Sequence, residues 1–326
     1  MREIDLASLN EMVKSSRNKR TILTFHSIAD TDAVSSAFAL KGFFKNASIA
    51  TPDFITGNSK RILEKLEFDP GIITTKFDDS AELVILLDVN NFEDCGAFKS
   101  KLESFKGTIL IIDHHTPNEI KNNNVTMFND ESFNSAASIV YKVLKSTDFV
   151  LDKNTANLLT TGIISDSAEL RNAFPETFIQ IGELLERSEI DYQSMLLEMH
   201  HIASPHSREE FIRDLFKCKV SIVENLLILS GSTQIHANKT ADDAIRIGAD
   251  AALFYTVKEN EISFSGRLRP PLDKTRGINL GKIMKSLAPL INGQGGGHPC
   301  AAGAYGPKIQ GKEEFIDTFM ARITNK

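Results

Sequence analysis

The chain of 326 residues is 41% hydrophobic and 25% charged, with a formal net charge of −6 and a pI near 5.8. Those values exclude a disordered chain and argue against a protein that coats long nucleic acid through charge, though not against a local basic pocket for a short anion. Three distant cysteines, Cys95, Cys218 and Cys300, with no CxxC pair, speak against a disulfide framework or structural zinc and for a reducing cytosol.

The N-terminus "MREIDLASLNEMVKSSRNKR" has no apolar signal core. No window approaches the roughly 18 apolar residues of a membrane span, so a cytoplasmic protein is expected, neither secreted nor membrane-spanning. Residues 4–18 carry apolar positions at helical spacing, and "TILTF" (21–25) reads as a buried strand running into "HSIADTD" and a helix-like "AVSSAFALKGFFKN". The pattern recurs. "AELVILLDVNN" (81–91) and "GTILIIDHH" (107–115) are apolar strands ending at acids, separated by the helix-like "SKRILEKLE" and "FEDCGAFKSKLESF". Strands alternating with helices predict a parallel α/β sheet, and continuous apolar runs predict strands covered on both faces.

Helices are predicted over 134–146, 153–170, 175–188 and 207–218, with a change of domain near 190–210. Beyond it, "KVSIVENLLILSGS", "DAALFYTVKENEISFSGRL" and "AAGAYG" read as strands and hairpins, with a turn at "KEN" and helices at 240–247, 278–289 and 312–324. The expected architecture is therefore an α/β chain. A parallel-sheet N-terminal domain over 1–195 precedes a smaller α+β domain over 196–326.

Three predicted strands stop at chemistry-bearing residues: His26, Asp30 and Asp32 after the first, Asp88 after the second, and Asp113, His114 and His115 after the third. Asp166, in "GIISDSAELR", lies near the end of an apolar helix. Open parallel sheets bind ligands beyond the carboxyl ends of their strands, so these segments are expected to converge. Singly, each residue has a bland reading as a helix cap or a structural histidine. Together, five carboxylates and three histidines carry too much negative charge for a dry site without cations. A mixed Asp/His set suits manganese, zinc, iron or cobalt better than calcium. The donors suffice for two metals sharing a carboxylate, the arrangement that serves in-line phosphoryl displacement.

Near the C-terminus, "NGQGGGHPCAAGAYG" (292–306) presents Gly295, Gly296 and Gly297 just before His298. Such a run lets backbone N–H groups approach an anion, and a helix starting there would add a favourable dipole. The bland reading is a flexible turn. No GxxxxGK[ST] run is present, so nucleoside triphosphate hydrolysis is not indicated. Upstream, "SGRLRPPLDKTRG" (265–277) contributes Arg267, Arg269, Lys274 and Arg276, a positive patch suited to phosphate or else a solvated hairpin tip.

In order, "HSIADTDAVSSA", "LLDVNN", "IIDHHTPN" and "GIISDSAELR" resemble the four motifs of DHH phosphoesterases, and "GGGHPCAAG" resembles the signature of the DHH-associated C-terminal domain. Ordered motifs from residue 26 to about 306 extend the resemblance over nearly the whole chain. It looks most like the small RecJ-like members, among them nanoRNases and 3′-phosphoadenosine 5′-phosphate phosphatases. The resemblance implies a catalytic cleft between two domains and two divalent metals, usually manganese. It places His26, Asp30 and Asp88 on one metal and Asp32, Asp88, His114 and Asp166 on the other, with Asp88 bridging. His115 would face the scissile phosphate, with Asp113 behind, orienting a histidine or supporting the strand end. Arg267 or Arg269, with Gly295, Gly296, Gly297 and His298, would hold the rest of the substrate. Motif departures are Ala29, Thr31 and "DSAEL"; none removes an implied ligand.

The resemblance implies hydrolysis of a short oligonucleotide or a nucleoside 3′,5′-bisphosphate, with no long duplex and no membrane as partner; a homodimer stays open. The alternatives are a RecJ-type single-strand exonuclease, which would need a long basic, aromatic-lined track, and a non-catalytic nucleotide or cyclic-dinucleotide binder. Inorganic pyrophosphatases share the DHH half but carry a different second domain.

Overall fold

The runs "LVILL" and "TILIID" each form a strand whose side chains enter two cores alternately. Leu83, Ile85 and Leu87 join one hydrophobic cluster, and Val84 and Leu86 join another on the opposite face. Each such buried side chain contributes about 1.5–3 kcal/mol relative to exposure, which is why these runs have no polar face. The computed structural model describes residues 1–326 except 119, 200–204, 235–236, 259–260, 308 and 325–326. The predicted "KEN" turn thus falls partly outside the described residues. The chain forms two units, Met1–His201 and Ile202–Lys326.

The first unit contains, in chain order, β1 (Arg2–Glu3), α1 (Leu6–Ser15), β2 (Arg20–Phe25), β3 (Ile28–Ala29), α2 (Thr31–Phe43), β4 (Asn46–Ile49), β5 (Phe54–Ile55) and α3 (Gly57–Lys65). It continues with β6 (Leu83–Leu87), α4 (Lys99–Ser104), β7 (Thr108–Asp113), β8 (Val125–Asn129), α5 (Ala136–Lys145), α6 (Lys153–Asp166), α7 (Pro175–Ser188) and α8 (Tyr192–Met199). A six-stranded sheet runs β1-β8-β7-β6-β2-β4. Its pairings are all parallel, so β2, β6 and β7 deliver their carboxyl ends to one rim.

Three predicted elements are corrected. The helix expected over "FEDCGAFKSKLESF" is broken, because Gly96 takes φ +47° and separates a 3-10 turn from α4. The helix expected to reach residue 170 ends at Asp166, and Ala168, Glu169 and Leu170 then adopt left-handed φ values of 52°, 59° and 66°. The glycine run at the C-terminus is a strand rather than a helix start.

The second unit holds α9 (Pro205–Lys217), β9 (Lys219–Val223), β10 (Leu226–Ser232), α10 (Ala237–Arg246), β11 (Ala251–Lys258), β12 (Glu261–Leu268) and α11 (Leu272–Thr275). It ends with α12 (Leu280–Leu287), β13 (Gln294–Gly297), β14 (Ala301–Gly306) and α13 (Lys312–Ile323). Its sheet order is β13-β14-β12-β11-β10-β9, with β10 and β11 parallel and the other pairings antiparallel. This mixed sheet beside helices is the α+β domain that the sequence predicts. No helix among the described residues is long and apolar enough to cross a membrane.

A candidate metal centre at the strand ends

Where β2 ends, His26 leaves the sheet, and the extended Ile28–Ala29 leads to Asp30. Asp30 caps α2, accepting from Ala33 N at 3.1 Å. One residue into that helix, Asp32 is buried. Its two oxygens accept from Ala136 N at 2.6 Å and Ala137 N at 2.9 Å, the first amides of α5. A helix N-terminus favours a carboxylate, and those two bonds leave further lone pairs on it. Asp88 follows β6 directly with φ +59°, a conformation costly for a non-glycine residue and typical of functional sites.

These side chains converge. Asp88 Oδ2 lies 3.6 Å from His26 Nε2, while Asp88 Oδ1 lies 3.4 Å from His114 Nε2 and 3.7 Å from His115 Nδ1. His26 Nε2 is 4.0 Å from Asp30 Oδ1, and His114 Nε2 is 3.1 Å from Asp166 Oδ2. Among the described residues, three overlapping groups have one donor atom from each member within 4.8 Å of the others: His26, Asp30 and Asp88; Asp32, His114 and Asp166; Asp88, Asp113, His114 and His115.

Asp88 Oδ1 and His114 Nε2 are buried, and neither makes a hydrogen bond of ordinary geometry despite these close approaches. Orphaned buried polar atoms are uncommon, and a cation between them would satisfy both. The charges agree. Burial, then the neighbouring Asp88, pushes Asp30 up to about 6, and burial followed by Asp88 and Asp166 pushes Asp32 upward. Burial opposes the charged form of His114, yet the Asp166 and Asp88 carboxylates close beside it outweigh burial and drive the imidazole up to about 11. Without metal, protonated histidines and shared protons must offset the clustered acids. The His/Asp donor set fits divalent manganese, iron, cobalt or zinc.

His114 and His115 diverge in environment although they are adjacent. His115 is the more exposed; its Nδ1 lies 2.9 Å from Asp113 Oδ1, and its backbone N donates to Asp113 Oδ2 at 3.2 Å. Behind them stands Asn90, to which sequence reading assigned no role. Asn90 is buried and donates through Nδ2 to Asp113 Oδ2 at 2.6 Å and to the Thr116 carbonyl at 3.0 Å. Its Oδ1 accepts from Asn118 Nδ2 at 2.6 Å. The only signal in the sequence is position, two residues after Asp88.

In the second unit, Arg267 is held by Asp242 (Nε to Oδ1 2.5 Å, Nη2 to Oδ2 3.2 Å) and donates through Nη1 to Ser265 Oγ at 3.1 Å. Arg269 instead donates to the Ala249 carbonyl through Nε at 3.1 Å and Nη2 at 2.8 Å, tying down the end of β12. The glycines divide likewise. A Cβ on Gly295 would strike the Met284 carbonyl of α12, Gly297 needs φ +132° for the turn, and a Cβ on Gly296 would meet nothing within 4 Å. His298 is exposed in that turn, and its backbone N donates to the Ala301 carbonyl at 2.8 Å.

Comparison with known proteins adds two family models. One, for the DHH family, N-terminal domain, matches residues 20–163; the other, for the DHHA1 domain, matches residues 226–325. An uncharacterized protein of Methanocaldococcus jannaschii is 25% identical over 94% of this chain and 93% of its own length. A probable manganese-dependent inorganic pyrophosphatase of Streptococcus suis is 25% identical over 77% of this chain and 81% of its own. Among solved structures, an exopolyphosphatase-related protein from Bacteroides fragilis superposes with a TM-score of 0.77 at 17% identity, over 98% of this chain and 95% of its own. RecJ from Thermus thermophilus, solved with manganese, gives 0.53 at 14% identity over 98% and 55%. At these identities the two structures show a shared fold.

Proposed function

We infer, since this chain belongs to the DHH family and carries a DHHA1 domain behind its DHH domain, that it is a divalent-metal-dependent phosphoesterase acting on short oligonucleotides or nucleoside 3′,5′-bisphosphates. The observation that carries the reading is the convergence of His26, Asp30, Asp32, Asp88, His114 and Asp166 around orphaned buried donor atoms. His26, Asp30 and Asp88 would hold one cation, and Asp32, Asp88, His114 and Asp166 the other, with Asp88 common to both. Two such ions supply Lewis acidity, lowering the pKa of a water and neutralising charge that builds on phosphoryl oxygens. Manganese is favoured, since the pyrophosphatase relative is named as manganese-dependent.

The remaining steps belong to side chains. Asp113, held by Asn90, fixes His115 by its Nδ1 and leaves Nε2 free for a substrate oxygen. The hydrogen bond that His115 Nδ1–H donates to Asp113, working against burial, raises the His115 pKa and favours the protonated ring, whose Nε2–H would serve a phosphoryl or leaving oxygen. Arg267 and His298 are the proposed contacts to the substrate's far phosphate or terminal nucleotide, with Gly296 opening the backbone beside them. The Arg269 bonds to Ala249 support a structural role for that residue instead. A cytoplasmic setting accords with the free thiols of Cys95, Cys218 and Cys300.

A panel of di- to penta-nucleotides, nucleoside bisphosphates, cyclic dinucleotides, long single strands and pyrophosphate, assayed with and without manganese, tests the function. Release of mononucleotide or phosphate from the shortest substrates is expected. No metal-dependent release from any of them would sink the reading. Turnover of pyrophosphate alone would leave the metal site and overturn the substrate class. For Asn90→Ala, kcat on the best substrate is expected to fall about 10–100-fold with metal content retained, the usual cost of removing a group that orients an active-site side chain. Steady-state kinetics beside metal analysis check it, and an unchanged kcat would show that Asn90 only fills space.

A further inference from the structure

Between His26 and Asp30 the chain forms β3, paired in parallel with β5 so that Ile28 stands in register with Phe54 and Ala29 with Ile55. Ala29 is fully buried and Ile55 partly so, whereas Ile28 and Phe54 are 53% and 54% exposed. One face of this two-stranded strap thus packs inward, and the other offers two adjacent large apolar side chains to solvent. Side chains alternate along an extended segment, so Ile28 leaves the backbone on the same side as Asp30, which joins the acid cluster.

The strap is pinned. Phe54 N donates to the Ser27 carbonyl at 3.2 Å, Thr56 N to Ala29 O at 2.9 Å, Ser59 Oγ to Ala29 O at 3.3 Å, and Ser27 N to Asp94 O at 2.8 Å. Scattered apolar residues on a surface need no explanation. An aliphatic side chain two residues before a proposed metal-binding acid, held in register with an aromatic one, presents a different case. A ligand made only of phosphate gains nothing from them, whereas one with a planar apolar body attached to its phosphate buries that body there.

We propose that Phe54, flanked by Ile28, is a stacking platform for the nucleobase adjoining the scissile phosphate, and that it makes this site prefer nucleotide esters over inorganic phosphates. The proposal rests on the phosphoesterase reading and narrows its substrate class. Stacking on an aromatic side chain tolerates any base, so the platform selects for the presence of a base rather than its identity.

Equilibrium binding to the manganese-loaded protein tests this with a non-hydrolysable phosphorothioate dinucleotide and the base-free methylenebisphosphonate. In Phe54→Ala the affinity ratio of the two ligands is expected to fall about 10–100-fold, whereas Phe54→Trp keeps it. Val150→Ser, which removes an exposed apolar side chain from the loop between α5 and α6, is expected to hold the wild-type ratio. Phe54 is exposed, so its truncation spares the core. A ratio unmoved in Phe54→Ala overturns the platform; if a dimer dissociates instead, the surface belongs to a second copy of the chain. Wild-type protein that binds neither ligand sinks the phosphate site and the platform together.

Discussion

Asp88→Ala is expected to lower kcat/KM by roughly a thousandfold or more and to strip bound metal from the protein. The carboxylate stands 3.4–3.7 Å from three histidine nitrogens, and Oδ1 is buried without a hydrogen bond. Removing it takes a donor from both proposed cation positions. The transition-state stabilisation that metal supplies is worth several kcal/mol, and each ~1.36 kcal/mol is a factor of ten in rate. Asp88→Asn is the sharper variant, because it keeps the volume and removes only the charge. Metal analysis of purified protein with steady-state kinetics reads both effects. Wild-type turnover with full metal content in either variant would refute the shared-ligand role.

Chelation is expected to lower the melting temperature by about 5–10 °C, with recovery on adding manganese. A ligand at about a hundred times its Kd adds about 2.7 kcal/mol to the folded state, and each kcal/mol moves the Tm of a unit of this size by about 2–4 °C. The electrostatics point the same way. Asp30, Asp32, Asp88 and Asp166 crowd one rim, and burial and mutual repulsion raise Asp30 and Asp32 above the ordinary carboxylate range. Circular dichroism melts with and without chelator check this independently of any substrate, and an unchanged Tm would mean that the cluster binds no ion.

Much of this was legible in the sequence because burial on both faces of a parallel sheet leaves long unbroken apolar runs. β6 and β7 are such runs, and the acids and histidines that stop them stand out by contrast. Short strands leave no such trace. β4 and β8, "NASI" and "VTMFN", sit among polar residues, and the two-residue β3 and β5 are set by pairing rather than composition. Local conformation was harder still. Nothing in Ala168, Glu169 and Leu170 announces three left-handed residues, and only their setting beyond Asp166 imposes them. The glycines misled in the opposite direction, since Gly295 and Gly297 serve close packing and a turn in β-structure rather than a helix start. Partnerships across the fold, such as Asp32 with the amides of α5 or Arg267 with Asp242, join residues too far apart for any local pattern to reveal.

The parallel sheet has one further consequence, for the order in which the chain acquires its donors. The proposed ligands come from residues 26, 30, 32, 88, 114 and 166, and parallel neighbours can pair only after the intervening crossover has closed. Such distant pairings carry their loop-closure cost before they are rewarded. A nascent chain that has released β2 alone offers an ion His26, Asp30 and Asp32, without the shared Asp88. The full set exists only once β2, β6 and β7 lie side by side and α6 has docked. Capture of an ion by the full proposed set would therefore require β2, β6, β7 and α6 to be in place together, whatever the state of α7 and α8 beyond them.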